Sequence, residues 1–136
     1  MKQKEEKLVV FLHGFPQHPI IYSDQLFHFA GLGFKVVAPA MRGYSLSEKP
    51  LSYSEYTFHL LSRDIEKLIE HYGYKSAIVV GHDWGGAVAW ALALRNPSKV
   101  EKLISINMAH PKSLWQKKKK KKSMFVNFLF SPPPYM

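Results

Sequence analysis

A short apolar run, Ala77 to Val80, leads into Gly81-His82-Asp83-Trp84-Gly85-Gly86, and the segment from Trp84 to Arg95 that follows is apolar nearly all round. No other feature constrains the fold so tightly. A strand that passes into a helix through a single residue must turn acutely, and positions −2, +2 and +3 then crowd that residue's backbone, where a Cβ would clash. Gly81, Gly85 and Gly86 occupy those positions around Asp83. The helix directs its N-terminal N–H groups and dipole at the turn, which favours an anionic side chain there. The pattern is that of a nucleophile elbow with Asp83 at its apex.

The rest of the chain supplies a frame for such a turn. Four apolar runs rich in β-branched residues, Leu8 to Leu12, Lys35 to Ala38, Ala77 to Val80 and Leu103 to Ile106, are nearly continuous rather than alternating. That predicts strands of a parallel sheet buried on both faces. Between them, Leu61, Ile65, Leu68, Ile69 and Tyr72 share one helical face within Phe58 to Tyr72, with Gly73 as a stop. The segment Trp84 to Arg95, closed by Asn96 and Pro97, reads as a buried helix, with Trp90 in its core. A shorter helix is expected from Ser23 or Asp24 to the Gly31–Gly33 region. The alternation of strand and helix marks an α/β domain with helices on both faces of about four parallel strands.

Charge and composition narrow the chemistry. The net charge of +9 would suggest a nucleic-acid or anionic-membrane partner, but Lys117 to Lys122 carry six of the nine, leaving a mildly basic remainder. Neither nucleic acid nor a membrane bound through the basic tail is expected as a partner. The absence of cysteine excludes thiol nucleophiles and thiolate metal sites. His18, His28, His59, His71 and His110 show no metal-ligand spacing, so neither a metal nor a cofactor is expected. The run Leu8 to Leu12 is too short for a signal peptide or a membrane span, which makes the cytoplasm the default location. From Lys117 the grammar changes to lysines, an apolar patch from Met124 to Phe130 and Pro132-Pro133-Pro134. Two regions follow: a folded part over residues 7–111, and a basic, low-complexity tail, expected to be disordered, over 112–136.

Three further motifs extend the elbow into a recognisable set. His13-Gly14-Phe15-Pro16 ends the first strand, Arg42-Gly43-Tyr44 follows the second, and Asn107 to Pro111 follows the last. With Gly-His-Asp-Trp-Gly-Gly, they resemble the α/β-hydrolase superfamily, specifically its epoxide hydrolase-like branch, over roughly Leu8 to Pro111. Two positions depart from that pattern: Ser45 stands for a glycine and Ala40 for an acidic residue, so the turn after the second strand is expected to be altered.

The resemblance implies a partial α/β-hydrolase fold. Its sheet order runs from the Lys35 strand through the Leu8 and Ala77 strands to the Leu103 strand, with the lid and C-terminal part missing. A ligand crevice belongs at the carboxyl ends of the strands where that order reverses. The resemblance also implies that Asp83 attacks a small-molecule epoxide or similar electrophile, forming an alkyl ester. The backbone N–H groups of Phe15 and Trp84 would receive the oxyanion, and both residues would line the substrate pocket. His13, Gly14, Pro16, Gly81, His82, Gly85 and Gly86 would shape the site. The family's acid, histidine base and lid tyrosines have no counterpart here, so the expectation is a truncated chain that forms the ester without turnover. Two alternatives stay open: a haloalkane-dehalogenase-like hydrolase, whose elbow also carries Asp-Trp, and a non-catalytic fragment. Unpaired edges of the sheet would favour self-association.

Overall fold

A computed structural model describes residues 6–45 and 47–113. The lysine run, the Met124 to Phe130 patch and the proline ending lie outside the described residues.

Strands β1 (Leu8–Leu12), β2 (Lys35–Val37), β3 (Ala77–His82) and β4 (Val100–Ile106) form one parallel sheet in the order β2-β1-β3-β4. This is the strand order that the resemblance implies. Helix α1 (Ser23–Gly31) packs on one face, and α2 (Phe58–His71) and α3 (Trp84–Arg95) pack on the other. Alternate residues of β1 face opposite ways, as the pleat requires. Leu8, Val10 and Leu12 join Ile65 and Ile69 of α2 and Val88, Ala89 and Leu92 of α3. Val9 and Phe11 meet Tyr22 and, from α1, Leu26 and Phe29.

Burial on both faces holds for β1 but not for β4. Leu103 packs on the α3 side, whereas Ile104 and Ile106 on the opposite face are 48% and 44% exposed. The cluster under α1 draws on β1, β2 and β3 and contains no residue of β4. β4 also starts three residues earlier than its apolar run, at Val100-Glu101-Lys102, because an edge strand tolerates charged residues that face water. Helix α1 is entered through a 3-10 turn at Pro19–Tyr22 rather than through a side-chain cap. Helix α2 begins where the Thr57 hydroxyl accepts the Leu60 N–H.

Two features fix the carboxyl end of the sheet. The first is the close seating of α3. A Cβ on Gly85 would lie 2.2 Å from the Leu12 carbonyl oxygen and 2.7 Å from that of His13, both of them backbone atoms at the end of β1. The second is His13, which is 1% exposed. Its Nε2 accepts the Met41 N–H at 3.1 Å, so the ring proton sits on Nδ1 and is donated to the Gly14 carbonyl, also at 3.1 Å. Burial holds the imidazole pKa below its ordinary value, and the charge of His18 adds to the effect, against an opposing pull from the Gly14 bond. The ring is therefore a neutral strut between the end of β1 and the turn at Met41.

Gly85→Ala is expected to lower the urea unfolding midpoint by an amount equivalent to about 3 kcal/mol, because backbone cannot yield to the added methyl. Gly31→Ala, where a Cβ meets nothing within 4 Å, should change stability by no more than about 1 kcal/mol and in the stabilising direction. His13 predicts a pH effect of definite sign. As pH drops below about 6.5 the unfolded chain takes up a proton that the folded ring resists. The contribution is thus complete above that pH and is lost progressively toward the lowered native value. Urea midpoints at pH 7.5 and 5.5 should fall further for the parent chain than for His13→Gln, which should itself cost about 1–3 kcal/mol at pH 7.5.

Candidate active site

Asp83 stands between β3 and α3 with φ 53° and ψ −121°. A branched or long residue rarely adopts this backbone, and the strain persists only when the surroundings over-determine it. Here they do. Asp83 N donates to the Ile106 carbonyl at 3.1 Å, and its carbonyl accepts Ala87 N–H at 3.1 Å in the first turn of α3.

Each glycine of the elbow faces a different obstacle. A Cβ on Gly81 would lie 2.4 Å from the Gly85 carbonyl oxygen, within the turn itself. On Gly85 it would strike the end of β1, and on Gly86 it would come within 2.7 Å of the Met108 side chain. None of the three meets the Asp83 backbone first, as the reason deduced from the sequence required; Gly81 is crowded by Gly85 and Gly86 across the turn. The other two serve the docking of α3 on β1 and of the segment after β4 on α3.

The Asp83 side chain faces the loop at residues 13–16. Oδ1 accepts the Phe15 N–H at 3.1 Å, and a Cβ on Gly14 would sit 2.6 Å from Asp83 Cβ. The two motifs therefore meet at the carboxyl end of the sheet, at the β1–β3 junction where the strand order reverses. Trp84, the first residue of α3, stacks its ring on Phe58 at 5.7 Å between centroids. Phe15 is half-buried, and the adjoining Phe15–Pro16 peptide is cis.

His82 lies beside the elbow with both ring nitrogens against other groups. Its Nδ1 is 3.0 Å from Gln17 Oε1, and its Nε2 is 3.4 Å from Asn107 Nδ2. Trp90 donates from Nε1 to the Met108 carbonyl and packs edge-on against the His110 ring at 4.6 Å. His28, His59 and His71 lie on exposed helix surfaces. Among the described residues no group of three His, Cys, Asp or Glu could hold a metal ion, and no helix is long and apolar enough to cross a membrane.

Tyr44 belongs to the site's surroundings although its sequence position alone gives it no part there. Its ring meets His13 edge-on at 4.7 Å, and its pKa is pushed up to about 12, first by burial and then by the negative charge of Asp83. The turn it stands in keeps its left-handed residue despite the missing glycine: Ser45 has φ 49°, and its hydroxyl meets His18 Nε2 at 2.9 Å. Arg42 ties the same turn to α2 through paired 2.8 Å hydrogen bonds to Asp64.

Comparison with known proteins agrees with this fold. The sequence matches the alpha/beta hydrolase fold family over residues 7–129. It is 45% identical over 109 residues to the AB hydrolase superfamily protein YfhM of Bacillus subtilis (strain 168), a stretch covering 80% of this chain and 38% of that protein. It is 43% identical over 109 residues to epoxide hydrolase 1 of Caenorhabditis elegans, covering 80% of this chain and 27% of the relative. Among solved structures, a point mutant of an epoxide hydrolase from Bacillus megaterium superposes with a TM-score of 0.82 at 38% identity, over 90% of this chain and 44% of that one. Epoxide hydrolase A from Mycobacterium thermoresistibile gives a TM-score of 0.76 at 27% identity, over 97% and 44% of the two chains. The chain thus spans less than half the length of each of these relatives. It belongs to the alpha/beta hydrolase fold family, and within it the chain is epoxide hydrolase-like.

Proposed function

We propose that the chain carries the nucleophile half of an epoxide-hydrolase-like site, with Asp83 as the attacking group on a small epoxide. The observation that carries this reading is the carboxylate itself, raised on a strained turn with one oxygen bonded to the Phe15 amide at 3.1 Å. A carboxylate is ionised at neutral pH and needs no base to make it nucleophilic. With Oδ1 held by the amide, Oδ2 is the oxygen left to attack. It forms a C–O bond to the epoxide carbon while the ring C–O bond breaks, and the resulting alkoxide takes a proton from solvent.

In the alkyl ester so formed, Oδ1 is the carbonyl oxygen. Attack of water on that carbonyl would place negative charge on it, and the amides of Phe15 and Trp84 are the donors proposed to receive the charge. This step also requires a base for the water. Among the described histidines, His13 is committed to Met41 and Gly14, and His82 lies against Gln17 and Asn107. These 136 residues are therefore proposed to perform the first step and to hold the ester. Residues 7–111 are taken as the part of the core responsible, and the outer edges of β2 and β4 as the surfaces where another strand would pair. The same carboxylate could displace a halide from carbon; the relatives named as epoxide hydrolases support the epoxide reading over that one.

Incubating the 136-residue chain with styrene oxide should add one epoxide mass per chain by intact-mass spectrometry, and Asp83→Asn should abolish the increase. An unmodified parent chain would rule Asp83 out as the nucleophile. Sustained diol release, over many turnovers per chain, would show instead that a base is present among these residues.

A further inference from the structure

Gln17, directly after the His-Gly-Phe-Pro segment, holds Gly14 from both sides. Its backbone N–H donates to the Gly14 carbonyl at 2.9 Å, and its side-chain Oε1 accepts the Gly14 N–H at 3.2 Å. The Gly14 carbonyl also accepts from His13 Nδ1 at 3.1 Å. Because a trans peptide is planar, fixing the Gly14 C=O fixes the opposite direction of the Phe15 N–H in the same plane. That N–H is the one on Asp83 Oδ1.

The donors and acceptors behind Gln17 form a consistent chain. The Gly14 N–H can only donate, so the Gln17 amide must present its oxygen there. The same oxygen meets His82 Nδ1 at 3.0 Å, which requires the His82 proton on Nδ1 and leaves Nε2 as an acceptor for Asn107 Nδ2 at 3.4 Å. Asn107 has φ 55°, immediately after β4. Flipping the Gln17 amide would set donor against donor at the Gly14 N–H.

We propose that Gln17 is a positioning residue: with His82 and Asn107 behind it, it clamps the Gly14 peptides so that the Phe15 amide stays aimed at the Asp83 carboxylate. The role in chemistry rests on Asp83 being the nucleophile; the clamp itself does not. An amide that swings off Oδ1 releases the carboxylate to rotate, and a misaligned nucleophile reacts more slowly without losing its pocket.

Two readouts test the two parts separately. By amide hydrogen exchange resolved by NMR, Gly14 and Phe15 should exchange about ten-fold faster in Gln17→Leu than in the parent chain, while Val10 and Val79 keep their rates. Gln17→Glu, which keeps an acceptor oxygen at the same place, should restore slow exchange. If Gln17→Leu does not fold, Asn107→Gly removes the last donor of the chain while permitting the positive φ, and the same two amides should exchange faster. Unchanged exchange in the folded variants would overturn the clamp. In the alkylation reaction with styrene oxide, Gln17→Leu should lower the limiting rate about ten-fold and leave the half-saturating concentration alone, a milder effect than the ~100-fold or more expected for outright loss of an oxyanion donor. An unchanged limiting rate would overturn the positioning role. Absence of adduct in the parent chain would remove the nucleophile reading, with the clamp still decided by exchange.

Discussion

The structure depends on one acute turn. Asp83 can hold its left-handed backbone only because Gly81, Gly85 and Gly86 let the turn, the end of β1 and the segment after β4 close to distances no side chain would allow. That closeness brings the residue 13–16 loop within hydrogen-bond reach of the carboxylate. The site is therefore a consequence of packing as much as of any charged residue. Backbone strain at Asp83 is stored because the strand behind it and the helix ahead of it are both buried along one face.

The polar groups at this end of the sheet are disposed in two layers. Against the carboxylate lie Phe15 N–H and Gly14, and within reach of its charge is the half-buried Tyr44, whose phenol stays protonated far above neutral pH. Behind them, imidazoles act as fixed donors and acceptors. His13 ties β1 to the turn at Met41, and His82 stands between Gln17 and Asn107. Histidine suits this task because its two ring nitrogens take opposite roles once one partner is set. Its presence beside a nucleophile is not by itself a sign of proton transfer.

Much of this was legible in the residue pattern. The parallel sheet and the helices on both faces follow from β-branched runs separated by helical periodicity, whereas the strand order and the meeting of the two loops follow from the family resemblance carried by the motifs. Three things were not legible. The apolar pattern of β4 covers only its second half, since Glu101 sits at a register shift with its carboxylate on Lys7 and Lys102 pairs with Ile78 while its side chain faces water. The reasons for Gly85 and Gly86 lie in chain segments distant in sequence, Leu12 and Met108. Gln17 carries no motif of its own, and its two bonds to Gly14 arise only in the folded chain. Long-range contacts of this kind leave no periodic signature in a single sequence.

The site depends on the bond between Asp83 and the Phe15 amide, which NMR can observe directly as a scalar coupling across the hydrogen bond from Phe15 nitrogen to Asp83 Cγ. That bond predicts the coupling in the parent chain, together with a Phe15 proton shift that moves upfield in Asp83→Asn. A Phe15 amide with no such coupling and a shift indifferent to the substitution would contradict it.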